Sequence, residues 1–170
     1  RKSEKDTRQY QAITLDNHMV VLLVSDPQAV KSLSALVVPV GSLEDPDAHP
    51  GLAHFLEHMT LMGSKHYPQP DSLSESLKLH GGSHNASTAP YRTAFYLEVE
   101  NDALQGAVDR LADAIASPLL EKKYADRERN AVNAELTMAR TRDGMRMAQV
   151  SAETIDAGDP GARFSGGNLE

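Results

Sequence analysis

Apolar positions along the chain fall first in short continuous runs and later at helical spacing, and the change between them marks its elements. Tyr10 to Leu15, the polar pair Asp16-Asn17 and then Met19-Val20-Val21-Leu22-Leu23-Val24 read as a β-hairpin around a short turn. Leu33 to Val40 is a further apolar strand closed by Gly41. Continuous apolar runs of this kind lie inside a sheet or beneath other elements. Pro50 and Gly51 open a short helix that runs to about Met62, with Gly63 as its stop. Pro70-Asp71-Ser72 starts a second, with Leu73 and Leu77 on one face and Gly81-Gly82 at its end. A strand pair follows, Ser83 to Thr88 and Tyr91 to Val99. Leu104, Val108, Leu111 and Ile115 then recur at helical spacing between Asn101-Asp102 and Pro118. A long fourth helix is expected from about Glu121 into the 140s, with Gly144 as a point of interruption and loop beyond Asp156. The closing stretch with Gly166-Gly167-Asn168 carries no sign of a terminal element.

Strands, then helices, with a strand pair between them imply an α+β domain, a mainly antiparallel sheet with helices packed on one face. A chain of 170 residues holds one such domain with a proper core and is too short for two large ones. The sequence starts at Arg1 rather than Met, and the expectation is a piece of something longer.

Composition narrows the chemistry. The formal net charge of −7 argues against a phosphate-backbone partner, because such binding needs clustered Lys and Arg. No apolar run approaches the length of a bilayer span, so no membrane partner is expected. With no cysteine, disulfides and thiolate sites are excluded, and any metal must be held by His and carboxylate.

The run His54-Phe55-Leu56-Glu57-His58 meets that condition. At i, i+4 on a helix the two imidazoles project from one face, one turn apart, and reach a single zinc ion. Glu57 beside them can take a proton from water at the same ion and deliver it to a leaving amine. A short amphipathic helix that happens to carry two histidines is the plainer alternative, so a third ligand is required. On the long helix Tyr124, Glu128, Ala131, Glu135 and Met138 share one face, which sets two carboxylates in an arc expected to face the core. Either a cation holds them, or Arg127, Arg129 or Arg140 does. Beside the histidine pair the metal reading is favoured, with Glu135 as the ligand and Glu128, two turns earlier, orienting a histidine. Three protein ligands leave a position open, as in catalytic zinc sites.

Gly81-Gly82-Ser83-His84-Asn85-Ala86-Ser87-Thr88 joins a helix end to a strand. Asn85 could hydrogen-bond a peptide amide and the strand edge could receive an extended substrate, although a helix cap followed by an ordinary strand explains the same residues. His84 reads as a surface or turn residue rather than a ligand, and His18, His49, His66 and His80 as solvated.

Gly51-Leu52-Ala53-His54-Phe55-Leu56-Glu57-His58-Met59 resembles the inverted-zinc-motif metallopeptidases, the pitrilysin-like family that includes the insulin-degrading enzymes. So do Gly63-Ser64-Lys65, His80-Gly81-Gly82-Ser83 with Asn85-Ala86, and Glu128 to Glu135; the likeness covers nearly the whole chain. It implies one zinc per chain on His54, His58 and Glu135, Glu57 as the general base, Glu128 supporting the site from behind, and Asn85 and Ala86 on the substrate backbone. It also implies a periplasmic zinc endopeptidase of small to medium polypeptides, built from several α+β domains. Residues 1–170 would then be the N-terminal part of the first, zinc-binding domain, truncated at its C-terminal end. The remaining domains would be partners in gripping substrate, and the piece alone could bind zinc without cleaving. A non-catalytic homologue, or a module binding metal or peptide without chemistry, is the alternative. Ser87 stands where insulin-degrading relatives carry an aromatic, so their side-chain preference does not transfer.

Overall fold

Thr93, Phe95, Leu97 and Val99 alternate with more exposed neighbours, and all four are buried in the computed structural model, which describes residues 2–164 and 166. They lie on β5 (Arg92–Glu100), the central strand of a three-stranded sheet. β3 (Lys31–Val38) pairs with it from Lys31↔Glu100 to Val38↔Thr93, and β4 (Ser83–Ala89) from Ser83↔Glu98 to Ala89↔Arg92. β1 (Gln9–Thr14) and β2 (Val20–Ser25) form a separate hairpin, and every strand pairing is antiparallel. The described residues also form five α-helices, α1 (Leu52–Thr60) and α2 (Ser72–Leu79) before β4, and α3 (Leu104–Ala116), α4 (Lys122–Ala139) and α5 (Asp143–Ala152) after β5.

Leu73 and Leu77 of α2 and Ala107 and Leu111 of α3 close over Phe95, Leu97 and Val99, which makes the core. Burying such side chains contributes about 1.5–3 kcal/mol for each large one, so this layer fixes the fold. The helices cover one face of the sheet, and the α+β architecture expected from the pattern stands. Across the sheet Leu33 and Val37 are exposed. Gly41 follows β3 against the β4–β5 turn, where a Cβ would collide with the Ala89 carbonyl oxygen.

Two expectations differ. The Leu33 to Val40 run is not inside a sheet but forms an edge strand that ends at Val38 and leaves Leu33 and Val37 exposed. The expected long helix is broken. The long helix stops at Ala139, and α5 starts afresh at Asp143 with Gly144 inside it rather than at the break. The Thr141 hydroxyl donates to the Met138 carbonyl (2.8 Å), competing for a helix acceptor, while Arg142 is extended and Asp143 sits where an acidic residue favours a new helix start. The loop expected beyond Asp156 contains a 3₁₀ turn at Pro160–Ala162, and Gly167 and Asn168 lie outside the described residues.

The end of α1 is clasped to the end of α3. The Leu119 N–H donates to the Gly63 carbonyl (3.0 Å) and the Lys65 N–H to the Ser117 carbonyl (3.1 Å). Asp113 holds the same junction, accepting from the His66 N–H (2.8 Å) and facing its Nδ1 (2.7 Å); His66 is exposed, as its sequence context implied, yet paired. A hydrogen bond from the Ser64 hydroxyl, then those from His66, holds the Asp113 carboxyl down at about 2. A depressed carboxylate stabilises the fold above its unfolded value of 3.8, and that contribution is lost as the pH falls through about 2. Urea midpoints measured from pH 5 to pH 2 should therefore fall more steeply for the parent than for Asp113→Asn. Parallel slopes would remove Asp113 from the acid response.

Candidate metal centre

Helix α1 carries the histidine pair, and its first turn is held from outside. Its N-cap, Gly51, has a left-handed conformation (φ 88°) and no side chain to cap with. The buried Asp45 takes that role, accepting from the Gly51 N–H (2.7 Å) and the Ala53 N–H (2.8 Å). Two charge-assisted bonds at a helix start are together worth about 2 kcal/mol. Asp45→Ala should lower the unfolding free energy by about that amount in urea titration, and an unchanged midpoint would show that water replaces the cap.

His54 and His58 lie on one face of α1 with ring centroids 5.1 Å apart and planes crossed at 78°. Each has its Nδ1 engaged. His54 Nδ1 faces the Gly166 carbonyl (3.3 Å), and His58 Nδ1 faces Glu128 Oε2 (3.2 Å). Acceptors there favour the tautomer with the proton on Nδ1 and leave Nε2 as the free lone pair. Both Nε2 atoms turn toward α4, where Glu135 meets His54 Nε2 at 3.5 Å (Oε2) and His58 Nε2 at 3.7 Å (Oε1). Donor atoms about 2.1 Å from a tetrahedral ion are roughly 3.4 Å apart, so this spacing suits a single zinc ion. Two neutral imidazoles and one carboxylate are also the donor chemistry that zinc accepts.

Glu128 is buried and bridges two groups, with His58 on one oxygen and Arg127 Nε on the other (2.8 Å). The carboxylate in turn raises the Arg127 pKa. The arginine alternative weighed from sequence thus accounts for Glu128 but not for Glu135. Arg129 pairs with Asp126 (3.2 Å), and among the described residues no ion pair joins Arg140 to Glu135. The expected buried arc on α4 holds at Glu128 and Val132 but opens at Glu135 and Met138, whose side chains are exposed. The helix leaves the core there and runs along the rim of a cleft.

That cleft has a volume of about 1280 Å³, and His54, Glu57, His58, Glu128, Glu135, Asn85 and Ala86 all border it. Glu57 is buried, and Oε2 of its carboxylate accepts from the Thr88 hydroxyl (2.5 Å). Thr88 is on β4, 31 residues away, and no spacing in the sequence pointed to it. Asn85 is exposed and its Oδ1 accepts from the Ala86 N–H (2.9 Å). Among the described residues β4 pairs with β5 alone, and its other edge borders the open cleft. His84 is half-buried at the same wall, and burial lowers its pKa; it lies outside the group formed by His54, His58 and Glu135. Among the described residues no helix is long and apolar enough to cross a membrane.

The chain is similar to several known proteins. Residues 20–158 match the family model described as insulinase, peptidase family M16. The chain is 87% identical over all its 170 residues to Protease 3 of Salmonella typhimurium and 86% identical to Protease 3 of Escherichia coli. In both cases it spans 18% of the relative's length. It is 42% identical over 167 residues to the insulin-degrading enzyme of Mus musculus, covering 98% of this chain and 16% of that one. A crystal structure of pitrilysin superposes with a TM-score of 0.98 at 86% identity, over the whole of this chain and 18% of that chain.

Proposed function

The chain belongs to the insulinase family, peptidase family M16, and from that premise we propose that it is the zinc-binding, catalytic segment of an endopeptidase acting on small to medium polypeptides. The observation that carries the reading is the convergence of His54 Nε2, His58 Nε2 and the Glu135 carboxylate at 3.5 and 3.7 Å. One zinc per chain would be held by these three residues. Bound there, zinc polarises a peptide carbonyl and makes water more acidic. Glu57 is the base. Its Oε2 is fixed by Thr88, which leaves Oε1 to take the proton of the attacking water and return it to the leaving amine. Glu128, backed by Arg127, holds the His58 ring in position, and the Gly166 carbonyl does the same for His54. Asn85 and Ala86 on the free edge of β4 hold the substrate backbone in extended form.

Residues 1–170 are, in this reading, the N-terminal part of the first domain of a longer periplasmic enzyme. Two observations support a longer protein. The chain spans 18% of the Protease 3 relatives, and it exposes Val20, Leu22, Leu33 and Val37 on strands, an apolar surface that further domains would cover. The full-length protein should cleave a quenched peptide, lose that activity to a chelator and regain it with zinc. Cleavage that survives complete removal of metal would overturn the metallopeptidase reading, and no cleavage at all would favour a non-catalytic homologue.

A further inference from the structure

We propose that His80, Glu100 and Asp102 form a second cation site, outside the cleft, for a divalent transition ion of the zinc type. One donor atom from each lies within 4.8 Å of the other two, and none of the three residues borders the cleft. An ion held at about 2.1 Å separates its ligands by roughly 3 to 4.2 Å, so small rotations of exposed side chains complete the site.

Backbone contacts set the three residues beside one another. His80 ends α2, and its carbonyl accepts from the Glu100 N–H (3.2 Å), which ties the helix end to the end of β5. Two residues on, Gly82 lies so close to β5 that a Cβ there would collide with the Glu98 carbonyl oxygen. Asn101, between the two acids, is pinned to the start of β3. Its Oδ1 accepts from the Ser32 hydroxyl (2.8 Å), and its Nδ2 donates to the Ala29 carbonyl (2.9 Å). Glu100 and Asp102 thus flank a residue tied to the start of β3.

Charge accounting points the same way. Among the described residues none of the three side chains has a hydrogen bond or ion pair. Lys31 is opposite Glu100 in the sheet register, but its Nζ bonds to Glu98 (3.1 Å). Two carboxylates and one imidazole converge without a counter-charge, and a cation relieves their repulsion. The imidazole selects a zinc-like ion over calcium or magnesium, which take oxygen donors, and water completes the coordination of a site this open.

The test uses the full-length protein, stripped with a chelator and dialysed against rising zinc, with bound metal counted by elemental analysis. His80→Gln and Asp102→Asn should each bind one zinc fewer than the parent at saturation, with an unchanged circular dichroism spectrum. Both substitutions keep the backbone bonds described above. The rise in thermal midpoint that accompanies the last equivalent in the parent should be missing from both variants. Because the readout is the difference between parent and variant, it does not depend on what the cleft binds. Equal zinc content in the parent and both variants would overturn the proposal.

Discussion

Replacing Glu57 by Gln in the full-length enzyme should leave zinc content unchanged and slow peptide hydrolysis roughly 100- to 10,000-fold, the range set by a lost general base. Gln has the size and hydrogen-bonding oxygen of Glu, so it can keep the bond from Thr88 that fixes the side chain at 2.5 Å. What it loses is the ability to accept a proton. His54, His58 and Glu135 are untouched, so metal binding and proton transfer are separated by a single substitution. Parent-like turnover with full zinc would remove Glu57 from the base role. Zinc loss in the same variant would mean that the residue supports the metal instead.

The second large effect is on the metal itself. Glu135→Ala removes the acceptor that faces both Nε2 atoms and leaves two imidazoles from one helix. Glu128 does not take its place, because it is committed to His58 Nδ1 and Arg127. Elemental analysis should find about one zinc less per chain than in the parent, and hydrolysis should fall with it. A ligand that binds only the folded state stabilises it, by about 2.7 kcal/mol at a hundredfold excess over Kd. The zinc-dependent rise in thermal midpoint should shrink accordingly. Full zinc retention in Glu135→Ala would move the third ligand elsewhere.

Much of this was visible in the residue order because the relevant distances are local. Four residues separate His54 from His58 and seven separate Glu128 from Glu135, so helix geometry alone sets each pair on one face. The helical part of the core was equally legible, since Leu73 with Leu77 and Leu104 with Leu111 recur at helical spacing. Contacts that close long loops were not. Thr88 reaches Glu57 only after the chain has folded back, and the Asp45 cap on α1, though local, carries no spacing signal either. The exposure of Glu135 was missed for a related reason. Its helix pattern continues past the point where the core ends, and periodicity does not report where a helix leaves its support. The break before α5 depends on Thr141 and Arg142 rather than on Gly144, which looked the more obvious interruption. The family likeness filled in roles that neither spacing nor packing could supply.

The most direct test is anomalous diffraction at the zinc edge from a crystal of the zinc-loaded, full-length protein. A single strong peak is expected in the cleft, about 2.0–2.2 Å from His54 Nε2, His58 Nε2 and a Glu135 carboxylate oxygen. A peak bound by other residues, or an empty cleft at saturating zinc, would contradict the three-residue site and the chemistry built on it.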